Sequence, residues 1–149
     1  MSETRQRVLD DIKTAMKAGD KPRLATLRLM SAALKQKEVD DRAVPDEATT
    51  IAIIDKLMKQ RRESITQYES AGRDDLVAIE QAEAEIIKTY LPASLNEEEI
   101  SAIIEAAVAE SGAASVKDMG KVMGLVKPKL QGRADMSAVS KTIKDRLNA

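Results

Sequence analysis

Leu91-Pro-Ala-Ser-Leu-Asn-Glu-Glu-Glu-Ile100 reads as the end of one helical region and the start of another. Proline disfavours the helical conformation in the residue before it, so a helix arriving from the N-terminal side ends near Leu91. A few residues on, the chain restarts. Asn96 is a suitable N-cap, Glu99 three residues later completes a capping box, and Leu95 is placed to pack on Ile100 as a hydrophobic staple. The stretch therefore predicts a boundary at 92/93, with an N-terminal helical domain over 1–92 and a C-terminal one over 93–149.

Working outward, the pattern is helical on both sides, and strand-like alternation is absent. On the N-terminal side four helices are expected. The first runs from Thr4 to Ala18 with Val8, Leu9, Ile12, Ala15 and Met16 on one face, and stops at Gly19. Asp20 caps a second over 21–39, carrying Leu24, Leu27, Met30, Ser31 and Leu34. A polar connection ending in Pro45 leads to Asp46, which caps a long third helix to Ser70 with Ile51, Ile54, Met58, Ile65 and Tyr68. The fourth follows Asp74-Asp75 with Leu76, Ile79, Ile86, Ile87 and Tyr90.

On the C-terminal side three helices are expected. The fifth carries Ile100, Ile103, Ile104, Ala107 and Val108 and stops at Gly112. Ser115 and Asp118 cap the sixth, striped by Val116, Met119, Val122, Met123 and Val126 and limited by Pro128. Asp135 caps the seventh, with Met136, Val139, Ile143 and Leu147. The fold class is all-α, a four-helix region followed by a small three-helix bundle.

Composition narrows the chemistry. The chain has no Cys and no His, which excludes disulfides, thiolate metal sites, cysteine nucleophiles and the commonest general base. With no Phe or Trp and only Tyr68 and Tyr90, the cores are aliphatic. No phosphate-binding Gly-x-x-x-x-Gly-Lys-Ser/Thr loop and no Gly-x-Ser-x-Gly elbow occurs. Of the carboxylate runs Asp10-Asp11, Asp40-Asp41, Asp74-Asp75 and Glu97-Glu98-Glu99, nearly all sit at helix starts or ends, where capping and the helix dipole account for most of them. Lys59, Arg61, Arg62, Glu63 and Glu69 read as a solvated face with pairing along the helix. No catalytic residue, metal or cofactor is expected. The chain opens without an apolar leader-like segment, and no apolar run approaches the ~18 residues of a membrane span. A cytoplasmic protein with no membrane association is the expectation.

The net charge of −1 conceals a gradient: +2 over residues 1–72, −8 over 73–112 and +5 over 113–149. The basic end centres on Met119-Gly-Lys-Val-Met-Gly124, followed by Gly132-Arg-Ala-Asp135. Each glycine costs about 1 kcal/mol against alanine in a helix interior, so the pair needs a reason. One is close packing of a neighbouring helix, in which case Gly124→Leu would unfold the C-terminal domain. The other is a surface cleared for a phosphate backbone, with Lys121 between the glycines. On that second reading Lys117, Gly120, Lys121, Gly124, Lys127, Lys129 and Arg133 form a nucleic-acid-binding surface. The competing account of these cations is an ordinary solvated face. With no aromatic residue after Tyr90, such a surface suits structured RNA better than unpaired bases.

Glu80-Gln-Ala-Glu-Ala-Glu85, Tyr90-Leu91-Pro92-x-x-Leu95, Glu97-Glu98-Glu99-Ile100, the glycine pair and Gly132-Arg-Ala-Asp135 together resemble the GatB/YqeY family, along essentially the whole chain. The resemblance implies a free-standing helical protein whose C-terminal part looks like the tail of the B subunit of the tRNA-dependent amidotransferase. It implies tRNA as partner, the amidotransferase subunits as further partners, and the family label of carbon–nitrogen ligase with glutamine as amido-nitrogen donor. The B subunit's catalytic cradle has no counterpart in this chain, so the resemblance implies tRNA binding without catalysis. Two alternatives stand beside it: a protein–protein adaptor with no RNA role, in which the acidic segment and N-terminal helices dock a partner, and an enzyme in its own right.

Overall fold

The computed structural model describes residues 1–148, and among them every regular element is helical. Seven α-helices follow in order: α1 (Glu3–Ala18), α2 (Lys21–Asp41), α3 (Glu47–Ser70), α4 (Asp74–Lys88), α5 (Glu97–Ser111), α6 (Met119–Leu130) and α7 (Met136–Asn148). A single turn of 3-10 helix, Val116–Asp118, leads into α6. Among the described residues no helix is long and apolar enough to cross a membrane. The chain divides into two compact units, Met1–Leu91 and Pro92–Ala149.

In the N-terminal unit α1 packs most extensively on α2, and α3 on α4. The shared core is Val8, Ala15, Leu27, Met30, Ile54, Leu57, Met58, Ala84, Ile87 and Tyr90. The caps are set by local chemistry. Asp20 accepts from the Arg23 N–H at 3.2 Å and Asp46 from Thr49 at 2.8 Å. The Thr49 amide holds the Asp46 carboxyl below its ordinary value. Gly19 closes α1 in the left-handed conformation, φ 66°.

Three details depart from the sequence reading. α1 begins one residue earlier, with Ser2 as its cap: the Ser2 hydroxyl accepts from Arg5 N at 3.2 Å and bonds Thr50 at 2.9 Å. Met16 is 54% exposed, lying at the rim of the α1 stripe near the helix end. Ile79 is 55% exposed because α4 turns Glu80 and Glu83 toward α3 instead. There they face the Arg61 guanidinium at 3.6 and 2.9 Å. Arg61 thus belongs to an inter-helix ion cluster, not to the solvated face expected for it.

In the C-terminal unit Ile104, Ala107, Val108, Val122, Val126, Leu130, Val139, Ile143 and Leu147 form a second, wholly aliphatic core. Asn96 and Glu99 form the reciprocal capping box at the start of α5, with Asn96 accepting from Glu99 N at 2.8 Å. Ser115 and Asp118 form another at the 3-10 turn. Asp135 accepts from Ser137 N at 3.0 Å at the start of α7. Pro128 does not end α6, which continues to Leu130 with the proline inside it.

Candidate docking surface on the C-terminal unit

The period of α6 decides which of its residues can meet anything outside the fold. Val122, Val126 and Leu130 are buried and define the inward face. At 100° per residue, Gly120, Gly124 and Pro128 fall on the opposite side, with Lys121 along one rim and Lys127 along the other. All five are exposed. Lys121 is 70% exposed at its side chain and lies 3.9 Å from the Asp118 carboxylate, a weak solvent-side pair.

The space above the glycines is empty. A Cβ built on Gly120 or Gly124 would have no neighbouring atom within 4 Å. The close helix packing expected of this pair is therefore not what the fold uses it for. Leucine at position 124 would project into solvent, and the expected unfolding of this unit has no physical cause. Pro128 adds to the bareness. It has no N–H to return to the Gly124 carbonyl four residues back, so an acceptor is freed on the exposed side.

The other candidate site residues are placed differently. Lys117 is exposed on the 3-10 turn, and Lys129 is exposed on α6 toward the flank. Arg133 turns back into its own unit. Its Nε donates to the Ala93 carbonyl at 3.3 Å, and its carbonyl accepts from Leu95 N at 3.0 Å. Buried Gly132, at φ 77°, makes the tight turn that allows this clasp. Gly132-Arg-Ala-Asp135 holds the 93–95 segment against the α6–α7 turn. Arg146, on α7, grips Glu105 with both nitrogens at 2.6 and 3.1 Å and holds that carboxyl below its ordinary value. Of the candidate surface residues, Gly120, Lys121, Gly124 and Lys127 share one open face, and Arg133 does not.

The remaining polar constellations are internal braces of the N-terminal unit. Arg5 pairs with Glu38 at 2.6 Å, and Thr4 bonds Glu47 through both its amide and its hydroxyl. Tyr90, 2% exposed, donates its hydroxyl to Asp11, while Arg7 stacks over its ring at 4.9 Å and reaches the Thr89 carbonyl at 3.2 Å. Burial, then the bond to Asp11, pushes the Tyr90 phenol up to about 12. Among the described residues no three carboxylates converge as a metal ion would require.

Among the described residues the chain is all-helical, in two units whose polar clusters brace their own helices, with an open basic face on α6. The chain belongs to the Yqey-like protein family, whose model matches residues 5–147. A relative from Pyrenophora tritici-repentis is 31% identical over 147 residues, covering 96% of this chain and 80% of that protein. One from Eremothecium gossypii is 44% identical over 84 residues, 56% of this chain and 46% of its own length. One from Saccharomyces cerevisiae is 40% identical over 82 residues, 54% and 44%. The latter two alignments thus span less than half of those proteins.

All three relatives are named altered inheritance of mitochondria protein 41, mitochondrial. These names overturn two expectations. They refer to mitochondria and not to tRNA, so the reading as a tRNA-associated amidotransferase-tail module is withdrawn. They also name mitochondrial proteins, against the expected cytoplasmic location. The labels of amidotransferase and translation gain no support from them.

Proposed function

We propose that this chain acts by docking a protein partner, and that the outward face of α6 is the surface that does so. The observation that carries the reading is the empty space over Gly120 and Gly124. Each glycine costs about 1 kcal/mol against alanine in a helix interior. An alanine at either position would meet nothing in the fold, so nothing within the chain offsets that cost. A backbone arriving from outside does, because absence of a Cβ lets it approach closely. The flanking Lys121 and Lys127 favour an acidic partner face, and they act on encounter rate and orientation more than on raw affinity.

The test places a photo-reactive side chain at Lys121 in the full chain, in its native cell, with nuclease treatment after crosslinking. A protein adduct of defined mass is expected. The same probe in a Gly120→Leu/Gly124→Leu background, in which the fold is unaltered by circular dichroism, is expected to lose it. An adduct unaffected by the leucines, or one destroyed by nuclease, overturns the reading.

A further inference from the structure

The face complementary to α6 is carried by the chain itself. On α5 the buried side is Ile104, Ala107 and Val108. The outward side presents Ala102, Ala106 and Ala109, all exposed, at i, i+4 and i+7. Glu98 and Glu110 flank this stripe, both exposed, with no ion pair to another described residue of their unit. Glu105 lies on it too, held by Arg146. α5 is therefore a small-residue face with an acidic rim, and α6 a small-residue face with a basic rim.

Within one unit these two faces cannot meet. α5 and α6 pack on each other through Ile104, Val108, Val122 and Val126, so the sides opposite those residues turn away from the contact. We infer that a second copy of this chain is the occupant of the α6 face, with its α5 laid along Gly120 and Gly124. Ala102 and Ala106 would approach the bare backbone, and Glu98 and Glu110 would meet Lys121 and Lys127. This rests on the docking reading above and names its partner. Each unit carries both halves on sides that turn away from each other, so the contact is head to tail, and each added copy leaves one α6 face and one α5 face open for the next. The rim pairs select this pairing over α5 on α5 or α6 on α6, which would juxtapose like charges.

Sedimentation velocity on the full chain tests it, over a wide concentration range at low and high salt. Concentration-dependent association beyond the monomer is expected at low salt, weakened at high salt as the rim pairs are screened. Lys121→Glu/Lys127→Glu makes both faces acidic, and Glu98→Lys/Glu110→Lys makes both basic. Each variant alone is expected to be monomeric. Mixed one to one, they pair acidic α6 with basic α5 and the reverse, and association is expected to return. These substitutions lie on exposed sites and leave the cores untouched, which circular dichroism verifies. A wild-type chain monomeric throughout, or association indifferent to both reversals, overturns the inference. If the wild type is monomeric while the Lys121 crosslink to another protein persists and is lost in the leucine variant, docking stands and self-association falls. If the leucine variant keeps the crosslink as well, both fall.

Discussion

The two units are held together by different means. The N-terminal unit threads polar side chains through its helix contacts: Ser2 to Thr50, Thr4 to Glu47, Arg5 to Glu38, Arg61 to Glu80 and Glu83, and Tyr90 to Asp11. The C-terminal unit has an aliphatic core, with no buried charged side chain among its described residues, and places its polar chemistry at caps, the Arg133 clasp and the exposed Arg146–Glu105 and Lys121–Asp118 pairs. Directional pairs fix helix register and leave little surface idle. A small apolar core fixes only the inward faces, so the outward face of a helix such as α6 is left for something else. That difference explains why the candidate docking surface lies on the smaller unit.

The comparison breaks most visibly in the C-terminal core. Leu130 is fully buried beside Val126 and Ile143. Leu130→Ala is expected to cost about 2–5 kcal/mol, a large share of what so short a unit can muster. Both tyrosines, Tyr68 and Tyr90, lie in the N-terminal unit, so their fluorescence reports that unit alone while circular dichroism reports both. The variant is expected to lose helicity in an early transition that tyrosine fluorescence does not see. A single transition common to both probes would show that the units unfold as one.

The polar braces are tested next. Arg5→Ala is expected to cost about 2 kcal/mol, because it removes a bond to a charged group from a buried position along with the packing of the alkyl stem. Here tyrosine fluorescence is expected to register the shift, with the C-terminal transition unmoved. Tyr90→Phe keeps the ring and removes the bond to Asp11, at about 1 kcal/mol. Tyr90 also gives a pH signature. A phenol whose folded value is raised from 10 to about 12 binds its proton more tightly in the folded state. The stability it supplies is complete below pH 10 and is lost as pH rises toward 12. Alkali is therefore expected to loosen the N-terminal unit first, and Tyr90→Phe to remove that contribution. In a Tyr68→Phe background, tyrosinate absorbance follows Tyr90 alone, and ionisation at the ordinary value would contradict the buried geometry.

The sequence was legible wherever the deciding interaction is local. Asp20, Asp46, the Asn96–Glu99 box and the Ser115–Asp118 box act within one turn, and their spacing is enough to read them. What escaped depends on partners far along the chain. Ser2 caps α1 while tied to Thr50. Ile79 yields the inward position to Glu80 and Glu83 because Arg61 waits on α3. Arg133 looks like a free cation until the Ala93 carbonyl is beside it. The glycine pair illustrates the limit most clearly. Helical periodicity says which side of α6 the glycines face, and only the tertiary structure says that the side is empty. Pro128, too, could be read as a stop, although proline is tolerated where its missing bond faces solvent.

The smallest expected effect has the opposite sign. Gly120 and Gly124 have helical backbone, since neither is among the residues with positive φ, and a methyl group at either would meet no atom. Alanine there gains helix propensity and limits the unfolded chain, so each substitution is expected to stabilise the C-terminal unit by up to about 1 kcal/mol. Gly120→Ala/Gly124→Ala would then raise the helicity transition that Leu130→Ala lowers, leaving tyrosine fluorescence where it was. A variant that is more stable yet docks less well separates the two roles a helix face can have. Glycines that serve folding make a protein weaker when replaced. Glycines that serve a partner make it stronger and less useful. If the alanine variant melts earlier than the wild type, α6 is braced by something beyond the cores described, and the contrast between the two units loses its basis.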